Sequence, residues 1–84
     1  MNKLNAEGKY HGYHEVLWDN GVVRSKGNYD NGYRVGEWEY FYHNGVLALK
    51  GNFIADKRVG RWLEYDFYGE LQDDKLFGRV EYYL

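Results

Sequence analysis

One segment of this chain occurs three times at a constant spacing. GYHEVLWDNG at 12–21, GEWEYFYHNG at 36–45 and GRWLEYDFYG at 60–69 align without gaps, each copy starting 24 residues after the one before. The return halves repeat too: Val23 and Lys26-Gly27-Asn28-Tyr29 align with Leu47 and Lys50-Gly51-Asn52-Phe53. A half-unit at 78–84 follows Gly60 by only 18 residues, and Gly8-Lys9-Tyr10 reads as the tail of a truncated unit. Self-similarity at such a period means a stack of supersecondary units, each burying its apolar side against its neighbours. In 84 residues this is one domain, with units near 12–35, 36–59 and 60–77 and the half-unit 78–84.

Each unit reads as a β-hairpin. Over residues 37–42, Trp38, Tyr40 and Tyr42 alternate with Glu37, Glu39 and Phe41, a period of two. Asn44-Gly45 follows, with Asn20-Gly21 one unit earlier, and Asn-Gly is the preferred pair of a type I′ turn. Asn31-Gly32 marks a further turn within what reads as a longer link between units. No segment has helical spacing. A two-residue turn at Asn44-Gly45 predicts that Tyr42 faces Leu47, Tyr40 faces Leu49 and Trp38 faces Gly51. One unit earlier Trp18 faces Val23, Val16 faces Ser25 and His14 faces Gly27. Glycine inside a strand costs about 0.5–1 kcal/mol, so Gly27 and Gly51 are expected to let the facing ring lie flat. In the third unit Lys75 replaces that glycine, and its return strand is expected to be shorter or irregular.

The apolar material is unusual. Trp 3, Tyr 10 and Phe 4 make 20% of the residues. The register collects His14, Val16, Trp18, Tyr29, Trp38, Tyr40, Tyr42, Leu47, Leu49, Phe53 and Trp62 on one face. The other face receives Glu15, Arg24, Lys26, Glu37, Glu39, Lys50 and Arg61, with Leu17, Phe41, Leu63 and Tyr65 among them. Several chemistries have little to work with. There is no Cys, no Thr and one Ser, Ser25, which removes disulfides, cysteine metal sites and most nucleophiles. His11 and His14 are three apart and point to opposite faces of a strand, so no metal site is expected. No catalytic residue and no cofactor is assigned. A net charge of -2 argues against nucleic-acid and membrane binding. Mean hydropathy of -0.80 and an N-terminus without an apolar signal-peptide core lead to the expectation of a cytoplasmic protein.

The pattern Gly-x-Trp-x-x-Tyr-x-x-Asn-Gly-x-Leu, then Lys-Gly-x-Phe/Tyr, then Lys/Arg-x-Gly-x-Trp, resembles the MORN-repeat family, in its bacterial variant with hairpin units. Gly36-Glu37-Trp38, Tyr42-His43-Asn44-Gly45, Lys50-Gly51-Asn52-Phe53 and Arg58-Val59-Gly60-Arg61-Trp62 carry the likeness, which spans residues 8–84. The first copy departs at His14, where Trp is expected, and the third at Asp66-Phe67-Tyr68-Gly69. The resemblance implies an all-β fold: a row of antiparallel hairpins, about three and a half units, in one elongated twisted sheet. It also implies a scaffold, dimerisation or, in some bacterial relatives, antitoxin or immunity-type role, with no catalytic residue.

A single sheet has no second layer to cover its aromatic face, and an exposed apolar patch signals a partner. The expected function is a non-enzymatic interaction module that self-associates or inhibits a protein partner. It would bind through Trp18, Tyr29, Trp38, Tyr40, Tyr42, Phe53 and Trp62. The alternatives are an oligomer that sequesters a small, nucleotide-like anion at Arg34, Arg58 and Arg61, and a purely structural scaffold. The composition suits a phage or bacterial accessory protein.

Overall fold

In a computed structural model of the chain, which describes residues 4–78, the repeat becomes three hairpins. The strands are β1 (Gly12–Leu17), β2 (Val23–Asp30), β3 (Tyr33–Phe41), β4 (Leu47–Ile54), β5 (Lys57–Tyr65) and β6 (Leu71–Phe77). They lie in chain order in one antiparallel sheet, β1-β2-β3-β4-β5-β6. There is no helix among the described residues, and the fold is all-β. The half-unit after Gly78 lies outside them. The molecule measures 38 × 38 × 10 Å, the thickness of a single pleated layer.

The two kinds of turn are exchanged relative to the sequence reading. The links between units are the tight turns: Asp30 pairs with Tyr33 across Asn31-Gly32, and Ile54 pairs with Lys57 across Ala55-Asp56. Both central residues have positive φ in each case, 52° and 88° in the first, 49° and 70° in the second. That is the type I′ signature. Within the units, Asn20 and Asn44 do not have positive φ; Gly21 and Gly45 do, at 87° and 90°. The Gly21 N–H donates to the Trp18 carbonyl, and the Trp18 N–H to the Val22 carbonyl. These are three-residue loops built on a type I turn with a left-handed glycine.

The wider loop shifts the register by one residue at the loop end. Trp38 faces Gly51 and Tyr40 faces Leu49, as the sequence predicts, but Phe41 faces Leu47. In β1 and β2, His14 faces Gly27 and Val16 faces Ser25, but Leu17 faces Val23. Ala48 and Leu49 together oppose Tyr40, and Arg24 and Ser25 together oppose Val16. Such a bulge turns two consecutive side chains to one face. Leu47 therefore leaves the aromatic face, here called the front, and joins Phe41 on the back. Arg24 moves to the front, where its guanidinium lies 4.8 Å from the Trp18 ring. Both are corrections to the predicted faces.

A second irregularity builds the core. Between Lys26↔Glu39 and Asn28↔Val35, three residues (Gly36, Glu37, Trp38) oppose Gly27 alone. Gly60, Arg61 and Trp62 oppose Gly51 in the same way. Gly36 and Gly60, at φ 70° and 71°, make the bend. The indole then folds back over the preceding strand. A Cβ on Gly27 would lie 2.2 Å from the Trp38 ring, and one on Gly51 2.0 Å from that of Trp62. The glycine is thus required beneath the next unit's tryptophan, and the facing tryptophan of the same hairpin does not use it. This corrects the predicted role and explains Lys75. It faces Trp62, and no described strand lays a ring over it; β6 has seven residues against eight in β2 and β4, and it carries the same loop-end shift, with Gln72 extra between Leu71 and Asp73.

Candidate functional site

A file of rings runs across the strands on the front face. Tyr10, His14 and Tyr29 cluster with centroids 4.4–5.2 Å apart. Tyr29 meets Trp38 at 5.1 Å, Trp38 meets Phe53 at 6.3 Å, Phe53 meets Trp62 at 5.0 Å, and Trp62 meets Phe77 at 6.2 Å. Most contacts are edge-to-face, the arrangement that the aromatic quadrupole favours. Each indole also spends its one donor internally: Trp38 Nε1–H donates to the Asn28 carbonyl and Trp62 Nε1–H to that of Asn52.

This row is largely sealed by the chain itself. Trp38, Phe53 and Trp62 are only 3%, 4% and 2% exposed. The glycine floor lies beneath the indoles, neighbouring rings flank them, and arginines lie above. The Arg34 guanidinium sits 4.2 Å from the Phe53 ring, and that of Arg58 sits 4.7 Å from Trp62 and 5.1 Å from Phe77. Of the expected partner-binding residues, Trp38, Phe53 and Trp62 are therefore core. Trp18, Tyr29, Tyr40 and Tyr42 remain half-buried.

The arginines do not form one anion site. Arg34 is engaged by Asp56, with Nε–H to Oδ1 at 2.7 Å and backbone N–H to the same oxygen at 2.8 Å, and it reaches the Tyr40 hydroxyl at 3.3 Å. Burial opposes its charge, but the hydrogen bonds to Asp56 and Tyr40 outweigh that and raise its pKa. The side-chain hydrogen bond from Arg34, aided by its backbone N–H, holds the Asp56 carboxyl below its ordinary value. Arg61 lies on the back and pairs with Asp74 at 2.9 Å. Arg58 alone of the three makes no ion pair among the described residues.

The open part of the front lies toward the loops within the units. A groove of about 390 Å³ is lined there by Tyr40, Tyr42, Ala48, Leu49, Arg58 and Glu64. Its rim is a second aromatic file along the loop tips. Trp18 meets His43 at 6.3 Å, His43 meets Phe67 at 5.4 Å, and Phe67 meets Tyr68 at 5.9 Å. Hydrogen bonds from one loop to the next fix this rim. Trp18 Nε1–H donates to the Phe41 carbonyl and Asn20 Nδ2–H to that of His43. One unit on, the Tyr42 hydroxyl donates to the Tyr65 carbonyl and Asn44 Nδ2–H to that of Phe67. The file ends at Tyr68, which is 87% exposed. Sequence reasoning did not assign Phe67 and Tyr68 to a site. The signal was their replacement of His43 and Asn44 in an otherwise repeating turn.

Among the described residues, no cluster of His, Asp and Glu is placed to hold a metal, and no helix is long and apolar enough to cross a membrane. No family model, curated protein or solved structure matches the chain.

Proposed function

We propose that this chain is a non-enzymatic binding module of the cytoplasm. It docks a protein partner on the loop end of its front face, in the manner of an inhibitor or antitoxin. The reading is carried by one observation: half-buried Trp18, exposed Phe67 and above all Tyr68, which is 87% exposed, gather along one rim beside a groove. Aromatic anchors next to a concave, water-excluding surface are the elements that dominate interface energies. The likeness to MORN repeats supports the same reading.

Tyr68→Ala isolates the claim, because an exposed ring contributes within about 0.5 kcal/mol to stability. Affinity capture from the native host is expected to retain a defined protein on the wild-type chain. Tyr68→Ala and Trp18→Ala should each weaken that retention by about tenfold or more, while Tyr13→Ala on the back leaves it unchanged. A partner held equally by wild type and Tyr68→Ala would refute the proposed site.

A nucleotide-like ligand is the second reading. Arg58 beside Tyr40 and Tyr42 in the groove favours it, while Glu64 in the same wall opposes an anion. A thermal-shift screen of nucleotides separates the two readings.

A further inference from the structure

The back of the sheet has two rows running across the strands. The first is charged and alternates in sign. Glu15 faces Lys26, Lys26 faces Glu39, and Glu39 faces Lys50, one residue per strand from β1 to β4. The alternation stops at β5, where Leu63 stands between Lys50 and Asp74. The second row lies nearer the loops, by two residues on β1 and β3 and by three on the bulged β2 and β4, and is apolar: Leu17 with Val23, then Phe41 with Leu47. Leu17 is 52% exposed and the other three are half-buried. Nothing in the described chain packs on this face, since the molecule is 10 Å thick.

A row that alternates in sign does not suit a uniformly charged partner such as a polyanion or an anionic membrane. It suits a surface with the opposite alternation, and the chain itself supplies one. A two-fold axis parallel to the strands, passing between β2 and β3, reverses the strand order and keeps each residue's height along the strand. It places Glu15 against Lys50 of the second copy, and Lys26 against its Glu39. The same rotation sets Leu17 against the second copy's Leu47, and Val23 against its Phe41. The two rows are thus complementary in one register.

We propose that the back faces of β1–β4 join two copies of this chain in a face-to-face dimer related by that two-fold axis. The charges enter as pairs already partly neutralised, since Lys26 lies 3.7 Å from Glu39 and Lys50 lies 3.4 Å from Glu37 within one chain. Sheets packed face to face lie roughly 10 Å apart. Four strands of eight residues give a planar footprint on the order of 500 Å² per copy. That is close to the lower bound of stable interfaces, roughly 600 Å² per partner, so the dimer is a weak one. It uses the face opposite the partner site proposed above and stands independently of it.

Sedimentation velocity on the full chain, from about 5 to 500 µM, is expected to show a reversible monomer–dimer equilibrium in the weak range that this area sets. Phe41→Lys should raise the dissociation constant by about tenfold or more. Glu15→Lys and Lys50→Glu should each raise it by about threefold to tenfold, and the double variant should restore it. Tyr68→Ala should leave the dimer unchanged, which separates this face from the partner site. A monomer at every concentration would overturn the proposal. So would a dimer indifferent to all three back-face substitutions, or single reversals that the double variant fails to rescue.

Discussion

At the scale of the residue, the fold turns on two positions without a side chain. Gly51 lies under the Trp62 ring with no room for a methyl group, so Gly51→Ala must displace either the indole or the strand. A loss of about 2–4 kcal/mol is expected from such overpacking, measurable by urea denaturation. Lys75→Gly, at the equivalent place in β6, should cost no more than the usual glycine penalty of about 0.5–1 kcal/mol. His14 is the other exceptional residue. It stands where later units carry tryptophan, is 3% exposed, and its Nδ1 has no hydrogen-bond partner among the described residues. Burial lowers its pKa from the ordinary 6.5. Above that value the ring is neutral in both folded and unfolded chains, and stability is full. As pH falls below it, only the unfolded ring takes up a proton. Stability then declines until the lowered folded value is reached. His14→Phe keeps the ring and removes the titration. The difference in stability between wild type and His14→Phe should therefore widen in favour of Phe from about pH 7 to pH 5, as chemical denaturation at each pH would show.

At the scale of the element, turn chemistry decides what alternation alone cannot. Asn31 and Ala55 are equivalent residues, both left-handed at φ 52° and 49°. Asn tolerates that conformation and Ala does not. Ala55→Asn is expected to raise stability by about 0.5–1 kcal/mol, seen as a higher urea midpoint with an unchanged slope. These turns also show why part of the fold was legible in the chain and part was not. The 24-residue period, the alternation at 37–42 and the recurrent Asn-Gly pairs sufficed for the hairpins and for His14↔Gly27 and Trp38↔Gly51. But Asn-Gly fits both a two-residue turn and the last two places of a three-residue loop. The choice moves Leu47 and Arg24 to opposite faces. The ring over Gly27 was likewise ambiguous, because pairing names the residue opposite Trp38 and not the strand toward which its side chain leans. Of the site, the aromatic character was readable and the division was not: burial of Trp38, Phe53 and Trp62 follows from the three-against-one bulges, which have no signature beyond Gly-x-Trp. Tyr68 drew notice only as a departure from the repeat.

At the scale of the whole molecule, the described strands pair in chain order, each with its immediate neighbours, so stability is a sum over units and the junctions between them. Deleting residues 36–59 joins Val35 to Gly60 and keeps every local rule, because Trp62 then meets Gly27 in place of Gly51. A four-stranded sheet is expected, still cooperative, with a urea slope lower by about a third, in proportion to the surface exposed on unfolding. Loss of cooperative unfolding in this variant would contradict the nearest-neighbour picture.

The indoles of Trp38 and Trp62 lean toward the strand made before them. The seat for Trp38 exists once Gly27 has been translated, and that for Trp62 once Gly51 has, so neither ring waits for sequence still inside the ribosome. Such a chain can lay down its sheet in the order of its synthesis, each new hairpin closing over the last.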